Sequence, residues 1–263
     1  MGDRDRPLNC MSVNRFLNSV QRMTVPCKDE PCRTGTVLKE GLLFYLRYVV
    51  ISFLLIVVVL TISKLTGLEI KHVASTEAFR DSFRNNLPIR LFQACLLGPI
   101  MEEIVFRLWL SFKRHHLGIA LFALSYVVLT KYVFPHEQEV FLWGYHSAYF
   151  EHAGLKVLIS GLFSSSVIIV KEDWLTNLGV RTKHIIICIS LFCFAALHLT
   201  NIICPWYLYP LMLIMCLPQF ILGTTATYFR IQLGFFAGLA FHCLINVGVL
   251  LISHGKDIMS LLG

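Results

Sequence analysis

The sequence reads GPIMEEIVFRLWLSF from Gly98 to Phe112, and this stretch decides how the rest of the chain is interpreted. It places Glu102, Glu103 and Arg107 inside an apolar segment of membrane-spanning length. Each ionised group near the middle of a spanning helix costs about 2.5–3.5 kcal/mol of insertion free energy. The segment is therefore tolerable only if these three groups face a protein interior or a water-filled cavity.

Helical spacing separates the roles of the three charged side chains. Glu103 and Arg107 are four residues apart, so they lie on one helix face and can form an ion pair. Glu102 lies well off that face and is free to meet another group. We predict that Glu103 and Arg107 are a structural pair and that Glu102 is the working carboxylate.

The composition predicts an all-α, polytopic transmembrane helical bundle. Hydrophobic residues make up 56% of the 263 residues and charged residues 15%, whereas soluble domains carry about 25% charged residues. The net charge of +7 would suit nucleic acid, but the lysines and arginines concentrate in a short tail and in loops. Membrane topology requires that distribution, so we expect a lipid bilayer and no nucleic acid as the partner.

The chain divides into two parts at about residue 40. Residues 1–40 are predicted to form a basic, mostly disordered tail, with a short interfacial helix near 13–23, and residues 41–263 the bundle. No cleavable signal peptide is expected, because the first apolar run begins near Gly41 and is too long. The nine cysteines do not form a disulfide or zinc framework. Seven spans are predicted, or eight if residues 135–150 enter the membrane, at about 42–62, 88–112, 117–134, 155–170, 184–204, 207–228 and 233–253.

Two further segments have a predicted place outside the spans. Phe79, Phe83 and Leu87 recur every four residues with charges between them, which suits an amphipathic helix on the membrane surface or an ordinary solvated helix. Residues 135–154 contain three histidines and three glutamates, but their spacing matches no metal-binding helix pattern. We interpret residues 135–154 as an aromatic interfacial loop.

The fifth and seventh predicted spans carry the other unexpected polar residues. FAALH runs from Phe194 to His198, and HCLIN runs from His242 to Asn246. Each motif is an i, i+4 pair, so its two side chains share one helix face. At about 1.5 Å of rise per residue, Glu102, His198 and His242 come to similar depths near the middle of the bilayer. A carboxylate and two imidazoles on three helices are therefore predicted to converge.

Hydrolysis is the chemistry that suits such a convergence. A glutamate in an apolar pocket can take a proton from water and return it to a leaving amine. A histidine or an asparagine amide can hydrogen-bond the oxyanion that develops on the attacked carbonyl. Two histidines and a glutamate are also a zinc-ligand set. The residues alone leave a water-activating glutamate and a metal site as alternatives.

The three motifs, in this order, resemble the CPBP family of intramembrane endopeptidases, also called the Abi or CAAX-protease family. That family carries EExxxR, FxxxH and HxxxN on separate transmembrane helices, and this chain carries EEIVFR, FAALH and HCLIN. The resemblance covers about residues 88–253. It implies an intramembrane endopeptidase that acts on a membrane-associated protein or peptide without zinc or another cofactor.

The resemblance also assigns a role to each motif residue. It implies that Glu102 activates water and that His198 and His242 polarise that water or the oxyanion. Asn246 would support the oxyanion, and Glu103 and Arg107 would support the site. The compact chain resembles bacterial members, which implies a multi-pass protein of the bacterial inner (plasma) membrane.

Buried charges also suit a non-enzymatic membrane protein. Intramembrane glutamate and histidine serve as proton relays in transporters. The alternative prediction is therefore a membrane sensor, an immunity factor or a small transporter. A transporter would show gradient-dependent solute flux, and a scaffold would keep its cellular effect after Glu102 is replaced.

Overall fold

The computed structural model describes residues 34–67, 71–72, 87–133, 152–203 and 205–262. Within these residues the chain is helical apart from short connecting segments and one antiparallel pairing, between β1 (Lys71–His72) and β2 (Ile202–Ile203). The helices are α1 (Thr34–Thr66), α2 (residues 87–111), α3 (Arg114–Val128), α4 (Ala153–Ser165), α5 (Glu172–Thr176), α6 (Val180–Leu197), α7 (Tyr209–Met215), α8 (Leu217–Leu233) and α9 (Phe235–Leu262). A π turn, Leu129–Val133, extends α3, while 3-10 turns follow α4 (Ser166–Ile169) and α6 (His198–Asn201) and precede α7 (Trp206–Leu208).

Helix α2, which carries both glutamates, is continuous but irregular. It alternates α-helix (Leu87–Phe92), π-helix (Gln93–Leu97), α-helix (Gly98–Glu102), π-helix (Glu103–Arg107) and 3-10 helix (Leu108–Ser111). Pro99 supplies one cause, because it has no N–H to donate and its ring clashes with the carbonyl four residues earlier. π turns inside α-helices are frequent at functional sites, so the two π turns indicate α2 as a candidate for such a site.

Helix α8 lies at the centre of the bundle. It packs against α1, α6 and α9, and every residue from Ile221 to Arg230 is buried. Two of its threonines satisfy their hydroxyls on the helix itself: Thr224 Oγ1 donates to Phe220 O at 2.8 Å, and Thr225 Oγ1 donates to Ile221 O at 2.9 Å. A helix that is buried on all sides belongs to the interior, so α8 is the element that the other helices surround.

Glycines set the close approach of the neighbouring helices to α8. A Cβ on Gly41 of α1 would lie 2.4 Å from the Phe229 ring, and a Cβ on Gly238 of α9 would lie 2.7 Å from Ala226 O. Within α8, a Cβ on Gly223 would lie 2.9 Å from the Phe194 ring. Each distance is too short for a side-chain carbon, so helix packing depends on glycine at these positions.

Replacing Gly238 by alanine should destabilise the protein by about 1–3 kcal/mol, because the new methyl group meets the backbone oxygen of Ala226, which cannot swing away. The matched control is Gly248→Ala on the same helix, where the methyl group would meet nothing within 4 Å. Both changes gain the same helix propensity, so their difference in the free energy of unfolding in detergent isolates the clash. Equal stability of the two variants would contradict this packing of α8 and α9.

The helical fold class is confirmed, and in the described part of the chain three helices are long and apolar enough to cross a membrane. They are Thr34–Thr66, Val180–Leu197 and Phe235–Ile252. These helices indicate a membrane protein, whereas the number of seven or eight spans stays a prediction. The predicted sixth span, 207–228, is two helices, α7 and α8, separated at Cys216 because Pro218 favours a new helix start.

The first helix begins before the boundary that we predict near residue 40. Helix α1 begins at Thr34, inside the 1–40 segment, and Val37 is fully buried in the cluster with Phe229 of α8. Burial of Val37 against α8 explains why the helix starts before the apolar run does. The predicted 13–23 helix, the residues around Phe79 and most of the 135–154 loop lie outside the described residues.

Candidate active site

The two adjacent glutamates of α2 are both buried, at the junction where its second α turn becomes a π turn. Arg107, one turn further on, is buried as well and forms an ion pair with Glu103 Oε1. The Glu103–Arg107 pair that the spacing predicts is therefore present. The arginine supplies the counter-charge that lets Glu103 remain an ionised hydrogen-bond acceptor inside the protein.

His242 of α9 lies between the two carboxylates and is 1% exposed. Its Nδ1 is 3.0 Å from Glu103 Oε1, and its Nε2 is 3.4 Å from Glu102 Oε2. The two ring nitrogens stand on different edges of the imidazole, so one side chain reaches carboxylates that point in different directions. Glu102 and Glu103 therefore meet the same histidine, although helical spacing separates their faces.

The charge of Glu103 determines the tautomer of His242. An ionised carboxylate accepts hydrogen bonds only, so His242 Nδ1 carries a proton and donates it to Glu103 Oε1. His242 Nε2 and Glu102 Oε2 then attract each other only if one of them carries a proton. Their separation of 3.4 Å exceeds that of a well-formed hydrogen bond, which leaves Glu102 able to bind a second proton donor.

Phe194 of α6 joins the three motifs. Its side chain is fully buried, and the guanidinium carbon of Arg107 lies 4.3 Å from the centre of its ring. The same ring meets the imidazoles of His198 and His242 edge-on, with centroid distances of 5.1 Å and 5.9 Å. The phenylalanine of FAALH, to which the spacing assigns no role, is thus the apolar centre of the site and holds Arg107 by a cation–π contact.

His198 joins the cluster through Phe194. It is half-buried, and its Nδ1 is 3.0 Å from Phe194 O. Among the described residues its recorded contacts are with Phe194 and not with Glu102. The predicted role of His198 on water or an oxyanion stays a prediction.

Asn246 reaches the backbone of α2. Its Nδ2 donates to Ala94 O at 2.9 Å, within the first π turn. Ala94 precedes Glu102 by eight residues, which is about 12 Å along the helix axis. This hydrogen bond clamps α9 to α2, and the oxyanion role of Asn246 stays a prediction.

The zinc-ligand set that the residue types allow is not assembled here. Within the part of the chain that the structure describes, no three His, Cys, Asp or Glu side chains group closely enough to hold a metal ion. Glu102 and His242 lie in contact, whereas the ring contact of His198 is with Phe194.

Side chains from other helices support the irregular end of α2. Ser190 of α6 donates to Phe106 O, and Arg230 of α8 donates to Leu108 O at 2.8 Å. Such bonds satisfy carbonyls that a change of helix type leaves without a regular partner. Spacing does not identify Ser190 or Arg230, because neither belongs to a motif.

Helix α4 carries a buried cation that belongs to none of the three motifs. Lys156 is fully buried, and it is the second residue of the predicted fourth span. A lysine inside an apolar run was a usable signal. Lys156 lies on the helix that packs against α3.

Comparison of the chain with protein-family models, with curated proteins and with solved structures returned no match.

Proposed function

We propose that this protein is an intramembrane endopeptidase that hydrolyses a peptide bond of a membrane-associated protein or peptide. The observation that carries the proposal is the placement of His242 between Glu102 and Glu103, in a buried cluster completed by Phe194 and Arg107. The motifs that supply these residues resemble the CPBP family, and we propose membership of that family on the same residues. The protein would cross the bacterial inner membrane several times.

Glu102 is the general base in this proposal. It takes a proton from a water molecule, and the water oxygen attacks the carbonyl carbon of the scissile peptide bond. The carbonyl oxygen becomes the oxyanion of a tetrahedral intermediate. Glu102 then returns the proton to the leaving nitrogen, the C–N bond breaks, and a carboxyl group and an amine remain.

His242 is the partner of Glu102 in the same cycle. Its Nδ1–H is held by Glu103, which fixes the ring so that Nε2 faces Glu102. In its protonated form, Nε2–H stabilises negative charge on Glu102 or on the oxyanion nearby. Arg107 holds Glu103 in turn, so the chain Arg107, Glu103, His242 orients one ring nitrogen toward the base.

Buried polar atoms in the cluster support a role that involves water or a peptide group. Among the described residues, Glu103 Oε2 and two guanidinium nitrogens of Arg107 are buried without a hydrogen-bond partner. Such atoms normally bond to water or to a ligand when protein supplies nothing. A hydrolytic site must bind both a water molecule and a peptide group.

One observation favours the alternative of a proton-coupled transporter. Lys156 is a further fully buried ionisable group, on a helix that supplies no motif residue. A relay requires several such groups in series. Solute flux in vesicles that disappears when the proton gradient is abolished, without any peptide cleavage, would favour the transporter.

The endopeptidase proposal is tested by mapping new protein termini. Cell membranes that contain the wild-type protein are compared with membranes that contain equal amounts of the Glu102→Gln variant, by mass spectrometry of N-terminal peptides. We expect a small set of termini, in or near transmembrane segments, that appear only with the wild-type protein. Identical termini in both membranes, at equal expression, would refute peptide hydrolysis.

A further inference from the structure

A cavity of about 500 Å³ lies at one end of the bundle, and none of the described residues that line it belongs to the three motifs. The end of α2, the beginning of α3, the beginning of α6, the end of α8 and the beginning of α9 all contribute to its lining. Its volume lies within the range of about 300–1,000 Å³ that is usual for small-ligand sites. The cavity therefore has the size for part of an organic molecule.

The lining of this cavity combines apolar walls with positive charge. Lys113, His116, Lys183, His184 and Arg230 line it, and none of the described residues that line it is acidic. Apolar side chains complete the wall, among them Leu110, Ile187 and Phe235. A ligand that matches both properties is an amphiphile with an anionic group.

Arg230 is the most deeply placed of the basic residues. It is 9% exposed; Nη2 donates to Leu108 O, and Nη1 is buried without a hydrogen-bond partner among the described residues. A buried guanidinium nitrogen that lacks a partner is costly unless a ligand or water completes it. Arg230 thus adds a positive charge to the wall of the cavity, although its Nη1 is itself covered by protein.

His116 is another basic residue of the lining, and its pKa is affected by the neighbouring positive charges. Its Nδ1 lies 2.6 Å from Ser111 Oγ. Burial, followed by the charges of His115, Arg230 and Lys113, lowers the pKa of His116 below its ordinary value. Burial, the largest cause, disfavours charge of either sign, and only the smaller part that comes from the neighbouring cations would be offset by a bound anion.

The position of the cavity indicates where its ligand comes from. Val180 and Phe235 line it and are the first residues of two of the helices that can cross a membrane, Val180–Leu197 and Phe235–Ile252. The cavity therefore lies where two spans begin, at the level of lipid headgroups. Basic pockets between membrane helices at that level bind the phosphates of anionic lipids.

We propose that this cavity binds the phosphate headgroup of an anionic phospholipid, with the first part of the acyl chains along Leu110, Ile187 and Phe235. Lys113 and Lys183 contact the phosphate from the rim, and Arg230 contacts it from the wall. The proposal concerns a site separate from Glu102 and His242, so it stands or falls independently of peptide hydrolysis.

The test measures lipid binding by the purified full-length protein with native mass spectrometry and with thermal unfolding in detergent. The probes are phosphatidylglycerol, phosphatidylcholine and inorganic phosphate. We expect phosphatidylglycerol to remain bound and to raise the unfolding temperature, while phosphatidylcholine and inorganic phosphate do neither. Each basic residue near the headgroup is worth about fivefold in affinity, so the double variant Lys113→Gln/Lys183→Gln should bind phosphatidylglycerol about 25-fold more weakly.

The control is Lys64→Gln, which removes an exposed lysine near the end of α1 and outside the cavity lining. It should retain wild-type affinity for phosphatidylglycerol. Lys183 Nζ also donates to Thr176 O at 2.7 Å and lies 5.2 Å from the centre of the Phe112 ring, so the lipid-induced rise in unfolding temperature of each variant is measured from that variant's own value without lipid. Equal binding of both phospholipids, an equal loss in Lys64→Gln, or full stabilisation by inorganic phosphate alone would each overturn the lipid site.

Discussion

Replacing Glu102 by glutamine should lower the rate of peptide cleavage by about 10²–10⁴-fold, the usual contribution of a positioned general base. Glutamine keeps the shape of the side chain but cannot take a proton from water. The contact with His242 survives as an amide contact, so the fold should be retained. Cleavage is measured with the purified protein in detergent or liposomes, on a substrate found by the terminus mapping.

The control for this prediction is Glu172→Gln, which makes the same chemical change at an exposed position on α5. It should cleave at the wild-type rate. Thermal unfolding of both variants separates lost chemistry from lost folding. Wild-type activity in a folded Glu102→Gln variant would remove Glu102 from the mechanism.

Replacing Arg107 by methionine should destabilise the protein by about 3–5 kcal/mol, the cost of breaking a buried ion pair on one side. Glu103 would keep its charge with no guanidinium beside it, and Phe194 would lose its cation–π contact. The free energy of unfolding in detergent is the measurement. We expect most of the variant to be unfolded or degraded in cells, because the loss is a large part of the stability of an ordinary domain.

A double variant tests the cause of that loss. In Glu103→Gln/Arg107→Met both charges are absent, and the glutamine oxygen can still accept the His242 Nδ1–H. Removal of both buried charges together is often neutral for stability, so the double variant should recover most of what Arg107→Met loses. If the double variant is less stable than Arg107→Met, the charge of the unpaired Glu103 is not the reason for the destabilisation.

Local helical spacing predicted some contacts of the site and missed others. The Glu103–Arg107 pair follows from an i, i+4 relation, which holds closely enough even where α2 passes into a π turn. The same rule separated Glu102 from Glu103, because it describes one helix at a time. It contains no information on His242, whose ring comes from another helix and meets both carboxylates.

Asn246 and Arg230 make two more contacts between helices that local spacing does not predict. Asn246 shares a motif with His242, but its amide bonds to Ala94 O in the first π turn of α2. Arg230 belongs to no motif and was expected in a loop, yet it is buried against Leu108 O. Both side chains donate hydrogen bonds to carbonyl oxygens in the irregular parts of α2, and no sequence pattern predicts which carbonyls these are.

The amino-acid sequence alone determined the helical class and the apolar helices of membrane-spanning length. It also determined that the charges inside α2 must face protein. Both follow from composition and spacing, because these set how much apolar area can be buried and what an isolated charge costs. Tertiary packing decided which groups meet. Glycine contacts such as Gly238 on Ala226 O bring α9 close enough for His242 to enter between Glu102 and Glu103. That meeting depends on distances between helices, which are set by side chains far apart in the chain.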